Sequence, residues 1–465
     1  MERTERKLQW GLIVLAIAVR IAALLVLQSH RVPHSTYEHG AIAANLLAGR
    51  GFSVRFLGAE GPTSQQAPLY PVVVAAAYRL GGIETPRALL ILELGQGLLG
   101  GLLVAAVLWL AREIAPGRPW VGLVAGMLTA LHPTLVYAAT HVQVALLAAT
   151  LLTTTLAAAF RTGRTGRLRD AVQTGCALAA LALTDPILAL VAPAAAWAVV
   201  LGRGPRGALR LLGVTALTAV LGVTPWMVRN AAVHGELVFV KSTFGYAFWQ
   251  GNCALSAGTD KVVRDSVERA LERPGAGLRA LNASLWAARH EAGYLDDVAL
   301  TPDDYRSLAQ VSEPERSRRL FRRAVRELRD EPGRYARLCL RRLRYFVFFD
   351  ETNPKTRNIL YRASHLGLTL LAAAGLALAP ASLRWRLGPS LLTAGLIALF
   401  HTLTIVSARF HIPLEPLMAV WAAAGAARFG STAGAGNVEG VLLNARLHRI
   451  RRHGLPAYRA ASGQV

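Results

Sequence analysis

Ten mostly apolar stretches recur along this chain, at 8–27, 88–111, 119–138, 142–160, 171–184, 186–202, 208–228, 358–378, 388–406 and 411–428. A bilayer core of about 30 Å takes about 20 such residues per helix, so this repetition bounds the fold before anything else is read. Backbone amides in hydrocarbon must find their partners within the segment, which leaves helices as the spanning elements. The expected fold class is therefore an all-α polytopic membrane protein, a helical bundle of about ten spans. The two stretches flanking Asp185-Pro186 are short and read as half-spans that meet inside the protein or near the far interface. Composition agrees, because 53% hydrophobic residues over 465 positions and a mean hydropathy of +0.36 are too apolar for a soluble protein of this size.

A formal charge of +23 would suggest nucleic acid in a soluble chain. Here the arginines sit between apolar runs and in the tails without aromatic interleaving, so they read as topology signals and lipid-headgroup contacts, and no nucleic-acid partner is expected. Arg3, Arg6 and Lys7, then Arg112 and Arg118, Arg161 to Arg169, Arg203 and Arg206, Arg384 and Arg386, and Arg446 to Arg452 all fall on one side of the ten-span scheme. By the positive-inside rule that side is the cytoplasm. The first run, after a basic flank, lacks a small-x-small cleavage site before Ser29-His30-Arg31 and reads as an uncleaved span.

The organisation that follows is a membrane bundle at 1–229 with an external loop at 28–87, an external soluble segment at 230–357, membrane helices at 358–428, and a basic cytoplasmic tail at 429–465. Within the loop, Pro68 to Leu80 is too short to span and is expected at the interface. Pro314 to Phe349 is helical in pattern, with a break at Pro332-Gly333. Cys176, Cys253 and Cys339 form no C-x-x-C pair, and the sequence leaves open whether Cys253 and Cys339 join.

Functional polar groups in a membrane protein collect at a cavity or on one side, because an unpaired charge in hydrocarbon is costly. The first external loop carries Tyr37-Glu38-His39-Gly40, then Ala44-Asn45 through Gly49-Arg50-Gly51-Phe52-Ser53, and Gly61-Pro62-Thr63-Ser64-Gln65-Gln66-Ala67-Pro68-Leu69-Tyr70-Pro71. Glu38 stands just before a helical run, above the membrane, where a carboxylate can act as a general base or merely cap a helix. Pro225-Trp226, Arg229-Asn230, the stretch Gly245 to Asn252, and Arg409-Phe410-His411-Ile412-Pro413-Leu414-Glu415-Pro416 fall at the same face. An arginine at a membrane mouth can grip a lipid phosphate through its planar fork, or simply anchor the interface. Trp226, Trp249, Tyr70 and Phe410 read first as an interfacial aromatic belt and second as sugar-stacking rings.

Taken in order over about residues 8–428, these pieces, with Phe244-Gly245 to Gly251-Asn252 and Asn353-Pro354, resemble the bacterial branch of the dolichyl-phosphate-mannose protein mannosyltransferase family, which has the C-type membrane glycosyltransferase fold. The chain departs from that pattern at Gly251-Asn252-Cys253, at Gln143 after the His132-Pro133 turn, and at His39, which replaces an acidic residue after Glu38. The resemblance implies a polyprenyl-phosphate-linked sugar as donor, a lipid, glycan or protein acceptor, and Glu38 as the catalytic acidic residue. It also implies a bacterial-type inner membrane location, with the site facing the periplasm or exterior. The activity expected is an inverting transfer in which Arg409 and Arg229 bind the donor phosphate. Tyr37, His39, Gln66, Tyr70, Trp249, Asn252 and His411 are expected to line the substrate cavity. His39, His132, His141 and His411 show no recognised ligand spacing, so no cofactor is expected, with a divalent metal that assists the phosphate as the lesser alternative. The alternative reading is a transporter or flippase of lipid-linked saccharides, which would place ionisable groups near the midplane, whereas here Glu93 is the main charge within a span.

Overall fold

The computed structural model describes residues 2–33, 35–262, 277–291 and 293–427. The basic tail expected at 429–465 lies outside them. The bundle is helical almost throughout. Each expected span corresponds to a helix or to part of one: Glu2–Leu27, Pro86–Ile114, Pro119–Leu131 with Pro133–Tyr137, Ala145–Thr165, Leu168–Ala182, Ala192–His234, Ile359–Leu378, Ala381–Leu403 and Glu415–Ala426. Five helical stretches among the described residues are long and apolar enough to cross a membrane by themselves, and a sixth arises if the pair at 119–140, bent by 54°, counts as one span. Ala192–His234 accounts for two expected spans, because Gly204, at φ 72°, breaks it just before Pro205 and that positive φ suits glycine.

The core lies between Pro86–Ile114, Ala145–Thr165, Ala192–His234 and Glu415–Ala426, where Leu103, Val107, Leu146, Leu152, Leu417 and Val420 are fully buried. The opposite faces carry exposed Leu98, Leu102, Leu217, Val220, Leu221 and Leu370. A helix that is apolar on both its inner and outer faces belongs in lipid. Two charged side chains inside the bundle find partners. Arg20 Nη1 donates to the carbonyls of Ala16 (3.0 Å) and Ala130 (3.2 Å), and Glu93 meets His30 Nδ1 at 3.0 Å.

Helix packing here rests on small residues. A Cβ at Gly375 would lie 2.1 Å from the Trp421 carbonyl and 2.7 Å from the Ala422 backbone, so Ile359–Leu378 approaches Glu415–Ala426 backbone to backbone, as membrane helices with glycine at the contact do. We expect Gly375→Ala to force these helices apart and to cost about 1–3 kcal/mol. A thermal unfolding midpoint in detergent unchanged from the parent would contradict that contact.

The segment between the first two long helices is built of the helix Tyr37–Leu47, an antiparallel hairpin and the helix Leu69–Gly81. The hairpin pairs Ser53–Phe56 with Ala59–Pro62 and turns through Leu57 and Gly58, both at positive φ. Two left-handed residues in sequence make the turn whose twist matches paired strands; no Asn-Gly or Asp-Gly announces it. The helices Glu313–Asp330 and Pro332–Val347 form as expected around the break at Pro332. Asp185 caps the 3-10 turn Pro186–Val191, accepting from Ile187 N at 3.1 Å. Cys253 and Cys339 are both free thiols.

Candidate active site

A cavity of about 130 Å³ opens among Tyr37, Tyr137, Gln143, Asp260, Lys261, Leu285, Arg289, Tyr294, Lys355, Leu360, Tyr361 and Arg409, with Pro133 and Ile412 in its wall. That is about ten times what one ordered water occupies. Its walls come from five separate parts of the chain. Four cations face it, and among the described residues none has an acidic partner within ion-pair distance. Lys261 rests on the Tyr294 ring at 3.4 Å, Lys355 on Tyr137 at 4.8 Å, Arg289 on Tyr37 at 5.2 Å and Arg409 on Phe410 at 5.6 Å. Aromatic faces give a cation a partial partner without neutralising it.

These charges act on one another. Burial, with Arg289 and Arg409 nearby, pushes the Lys355 ammonium well below its ordinary range. Lys261 is lowered by burial too, Asp260 opposing and Arg289 and Arg409 adding to the effect. For Arg409 burial works against the charged form, yet Asp260, Tyr294, Glu38 and Tyr37 together hold the guanidinium above its ordinary value. Neutralising Arg409 is thus disfavoured, while the two lysines are poised to gain from an arriving anion.

Local structure fixes each group. Asn353 caps the turn Pro354–Arg357 by accepting from Lys355 N at 3.1 Å. Asp350 accepts from Thr352 Oγ1 at 2.5 Å and from Ala408 N at 3.1 Å, joining the Lys355 loop to the Arg409 loop. Burial pushes the Asp350 carboxyl up to about 6 despite those donors. Tyr37 enters the cavity wall from a left-handed backbone, φ 52°, an uncommon state for a bulky residue. Gly40 follows because a Cβ there would lie 2.0 Å from Thr36 Oγ1 and 2.8 Å from Tyr78 Oη.

Glu38, in the first turn of Tyr37–Leu47, is half-buried beside this cavity. No hydrogen bond occupies its carboxylate among the described residues, and its charge is felt at Arg409, Lys241, Lys261, Tyr246 and Tyr294. Glu38 and Arg409 therefore lie in one field on one face of the molecule.

The other expected residues divide. Tyr37 lines the cavity. His39 is buried edge-on to Tyr70, 5.0 Å between ring centres, and burial, then Lys241 and Arg409, drives its pKa down to about 3, so it is neutral. Gln66 accepts from Lys241 Nζ at 3.1 Å. Tyr70 is taken up in a buried network, donating to Gln96 Oε1 (2.7 Å) and accepting from Gln143 N (2.7 Å). Trp249 and Asn252 are fully buried away from the cavity wall. Asn252 bridges Thr404 O (3.1 Å) and Arg342 Nη1 (3.0 Å), and a Cβ on neighbouring Gly251 would meet Thr404 O at 2.1 Å. This helix is a packing element, which corrects its expected place in the cavity. His411 lies behind the wall among other histidines.

Arg229 is also corrected. Its guanidinium donates to Thr63 O (2.6 Å), Ser64 Oγ (3.3 Å), Asn230 Oδ1 (3.1 Å) and Phe52 O (2.9 Å), and stacks on Trp226 at 4.8 Å. With Nη1 on three acceptors and Nη2 on a fourth, it fastens the loop. Glu313 completes the same clasp, accepting from Thr63 Oγ1 (2.6 Å), Ser64 N (2.7 Å) and Ser242 Oγ (2.6 Å). Lys261, Arg289, Tyr294 and Lys355 were not singled out from the sequence. The Asn353-Pro354 pair was the one local signal near any of them.

No family model matches the chain, and no curated protein matches it in sequence. Solved structures do match in fold. An archaeal oligosaccharyltransferase, AglB from Archaeoglobus fulgidus in complex with an inhibitory peptide and a dolichol-phosphate, aligns at TM-score 0.51 and 14% identity over 98% of this chain and 52% of its own. The Archaeoglobus fulgidus oligosaccharyltransferase in the apo form aligns at 0.52 and 15% identity, over 95% and 54%. This chain thus spans about half their length. ArnT from Cupriavidus metallidurans bound to undecaprenyl phosphate aligns at 0.39 and 15% identity over 90% of this chain and 79% of its own. The chain has the C-type glycosyltransferase fold, and is an all-α, multi-pass membrane protein.

Proposed function

We propose that this protein is a glycosyltransferase that moves a sugar from a polyprenyl-phosphate carrier to a lipid, glycan or protein hydroxyl on the non-cytoplasmic side of a bacterial-type inner membrane. The observation that carries the proposal is the convergence of Lys261, Arg289, Lys355 and Arg409, none of them in an ion pair among the described residues, on one cavity that holds the single carboxylate Asp260 and apolar walls at Leu285, Leu360 and Ile412. Unpaired buried charge is costly unless an anion is to arrive. Cations beside apolar walls fit an anionic head that carries a hydrocarbon tail. The fold is compatible with this, since an Archaeoglobus fulgidus structure of similar fold holds a dolichol-phosphate.

The residues divide the work of a single inverting displacement. Glu38 takes the proton from the acceptor hydroxyl as its oxygen attacks the anomeric carbon. The bond from that carbon to the phosphate oxygen breaks, and the charge that grows on the leaving phosphate meets Arg409 and its neighbouring cations. Arg409 is the fork best suited to two phosphate oxygens. The gathering of the basic short connections on one side of the ten-span scheme supports the outward-facing orientation.

The test supplies purified protein in detergent with a polyprenyl phosphate bearing a radiolabelled sugar and with a lipid extract as acceptor. We expect free polyprenyl phosphate to be released and label to pass to the acceptor. Saturable binding of the carrier without release would sink the enzymatic reading and favour a transporter.

A further inference from the structure

Behind the cavity wall, four residues from three parts of the bundle meet around one carboxylate. Glu415, the first residue of Glu415–Ala426, has no exposed surface; His365, His411 and His132 are 1%, 3% and 7% exposed. His411 Nε2 lies 3.5 Å from Glu415 Oε1, His365 Nδ1 lies 4.0 Å from the same oxygen, and His132 Nε2 lies 3.3 Å from Oε2. The donor atoms of His365, His411 and Glu415 all fall within 4.8 Å of one another.

These groups face each other without bonding. Neither Glu415 oxygen, nor His365 Nδ1, nor His132 Nε2 has a hydrogen-bond partner. Nε2 of His365 sits 3.0 Å from the Val347 carbonyl, which only accepts, so Nε2 carries a proton and, in the neutral ring, Nδ1 turns a lone pair toward the carboxylate. Two lone-pair-bearing atoms aimed at one point in a dry interior repel, and a buried carboxylate without donors costs several kcal/mol. A cation at that point turns each repulsion into a bond. A ring nitrogen anchored on a backbone carbonyl is also how ligating histidines are oriented. His411 Nε2 has its own neighbour in Tyr361 Oη at 3.3 Å, and Tyr361 lines the cavity.

We propose that His365, His411 and Glu415, with His132 beside the second carboxylate oxygen, form a binding site for a divalent transition cation of the zinc type. Two or three imidazoles with one carboxylate are a nitrogen-rich set that suits Zn2+ over Mg2+ or Ca2+. Zinc bonds of about 2.0–2.2 Å in a tetrahedron put donor atoms about 3.3 Å apart, so the observed spacings need only small side-chain rotations to close. The site would be structural, joining the break after Leu131, the helix Ile359–Leu378 and the start of Glu415–Ala426 into one unit behind Arg409. It does not depend on what the cavity binds.

Untagged protein in detergent, stripped with chelator, loaded with Zn2+ and desalted, is expected to retain about one equivalent by elemental analysis, and Co2+ loading to give the visible absorption of tetrahedral cobalt. Glu415→Gln and His365→Gln, in fractions that remain monodisperse, are expected to lower metal affinity by about 10–100-fold or more. Loss in these variants supports the site. Wild-type protein that shows neither retained zinc nor cobalt absorption, or variants that retain both at the parent level, would overturn it, the first outcome meaning that the cluster holds protons instead. Should both variants fail to fold, the wild-type cobalt spectrum alone decides.

Discussion

Glu38→Gln is expected to lower kcat for sugar transfer by about 10²- to 10⁴-fold, the range that a positioned general base supplies, with donor binding retained. The substitution keeps the shape of the side chain and removes its basicity. Glu38 is half-buried, has no hydrogen-bond partner on its carboxylate among the described residues, and has Arg409, Lys241 and Lys261 within its field. Insertion and folding should be untouched, because no hydrogen bond among the described residues runs through this carboxylate. Steady-state kinetics with a labelled donor, alongside a binding measurement on the same preparation, separates the two effects. Full activity in Glu38→Gln would remove this residue from the mechanism and leave Asp260 as the carboxylate in the cavity wall.

Arg409→Ala should act at the other end of the reaction. Removing a donor aimed at developing charge costs about 10²- to 10³-fold, and here the loss should appear in both donor affinity and turnover, since the phosphate is anionic in the ground state and more so as it leaves. Arg409→Lys keeps the charge without the fork and should fall between the two. Arg229→Ala is the informative control. Its guanidinium already serves Thr63, Ser64, Asn230 and Phe52, so its loss should lower the unfolding midpoint. Were Arg229→Ala to abolish donor binding in a protein of unchanged stability, the division of roles between these two arginines would have to be reversed.

What could be read beforehand was whatever depends on neighbours in sequence. The helices follow from local apolar runs, and the break at Pro332 from the ring that cannot continue a helix. Tyr37, Glu38 and Arg409 stand out in the sequence because each sits in a short conspicuous string near an apolar run. Lys261, Arg289 and Lys355 carry no such mark. Each is one basic residue in an arginine-rich segment, and what singles it out is the company it keeps across more than a hundred positions. The same blindness acted in reverse at Trp249 and Asn252, where an aromatic-polar string resembles a sugar site, while the close contact of Gly251 with Thr404 makes it an interior seam. Histidines at 132, 365 and 411 have no metal-like spacing in the sequence, and only the fold puts them around Glu415.

The carboxylate of Glu313 has a mechanical effect as well. By fastening Thr63, Ser64 and Ser242 to the head of its own helix, it makes one rigid shoulder of the loop that carries Glu38 and the helical segment above it. The placement of the loop bearing Glu38 is thus set from a helix that begins about 250 residues further along the chain.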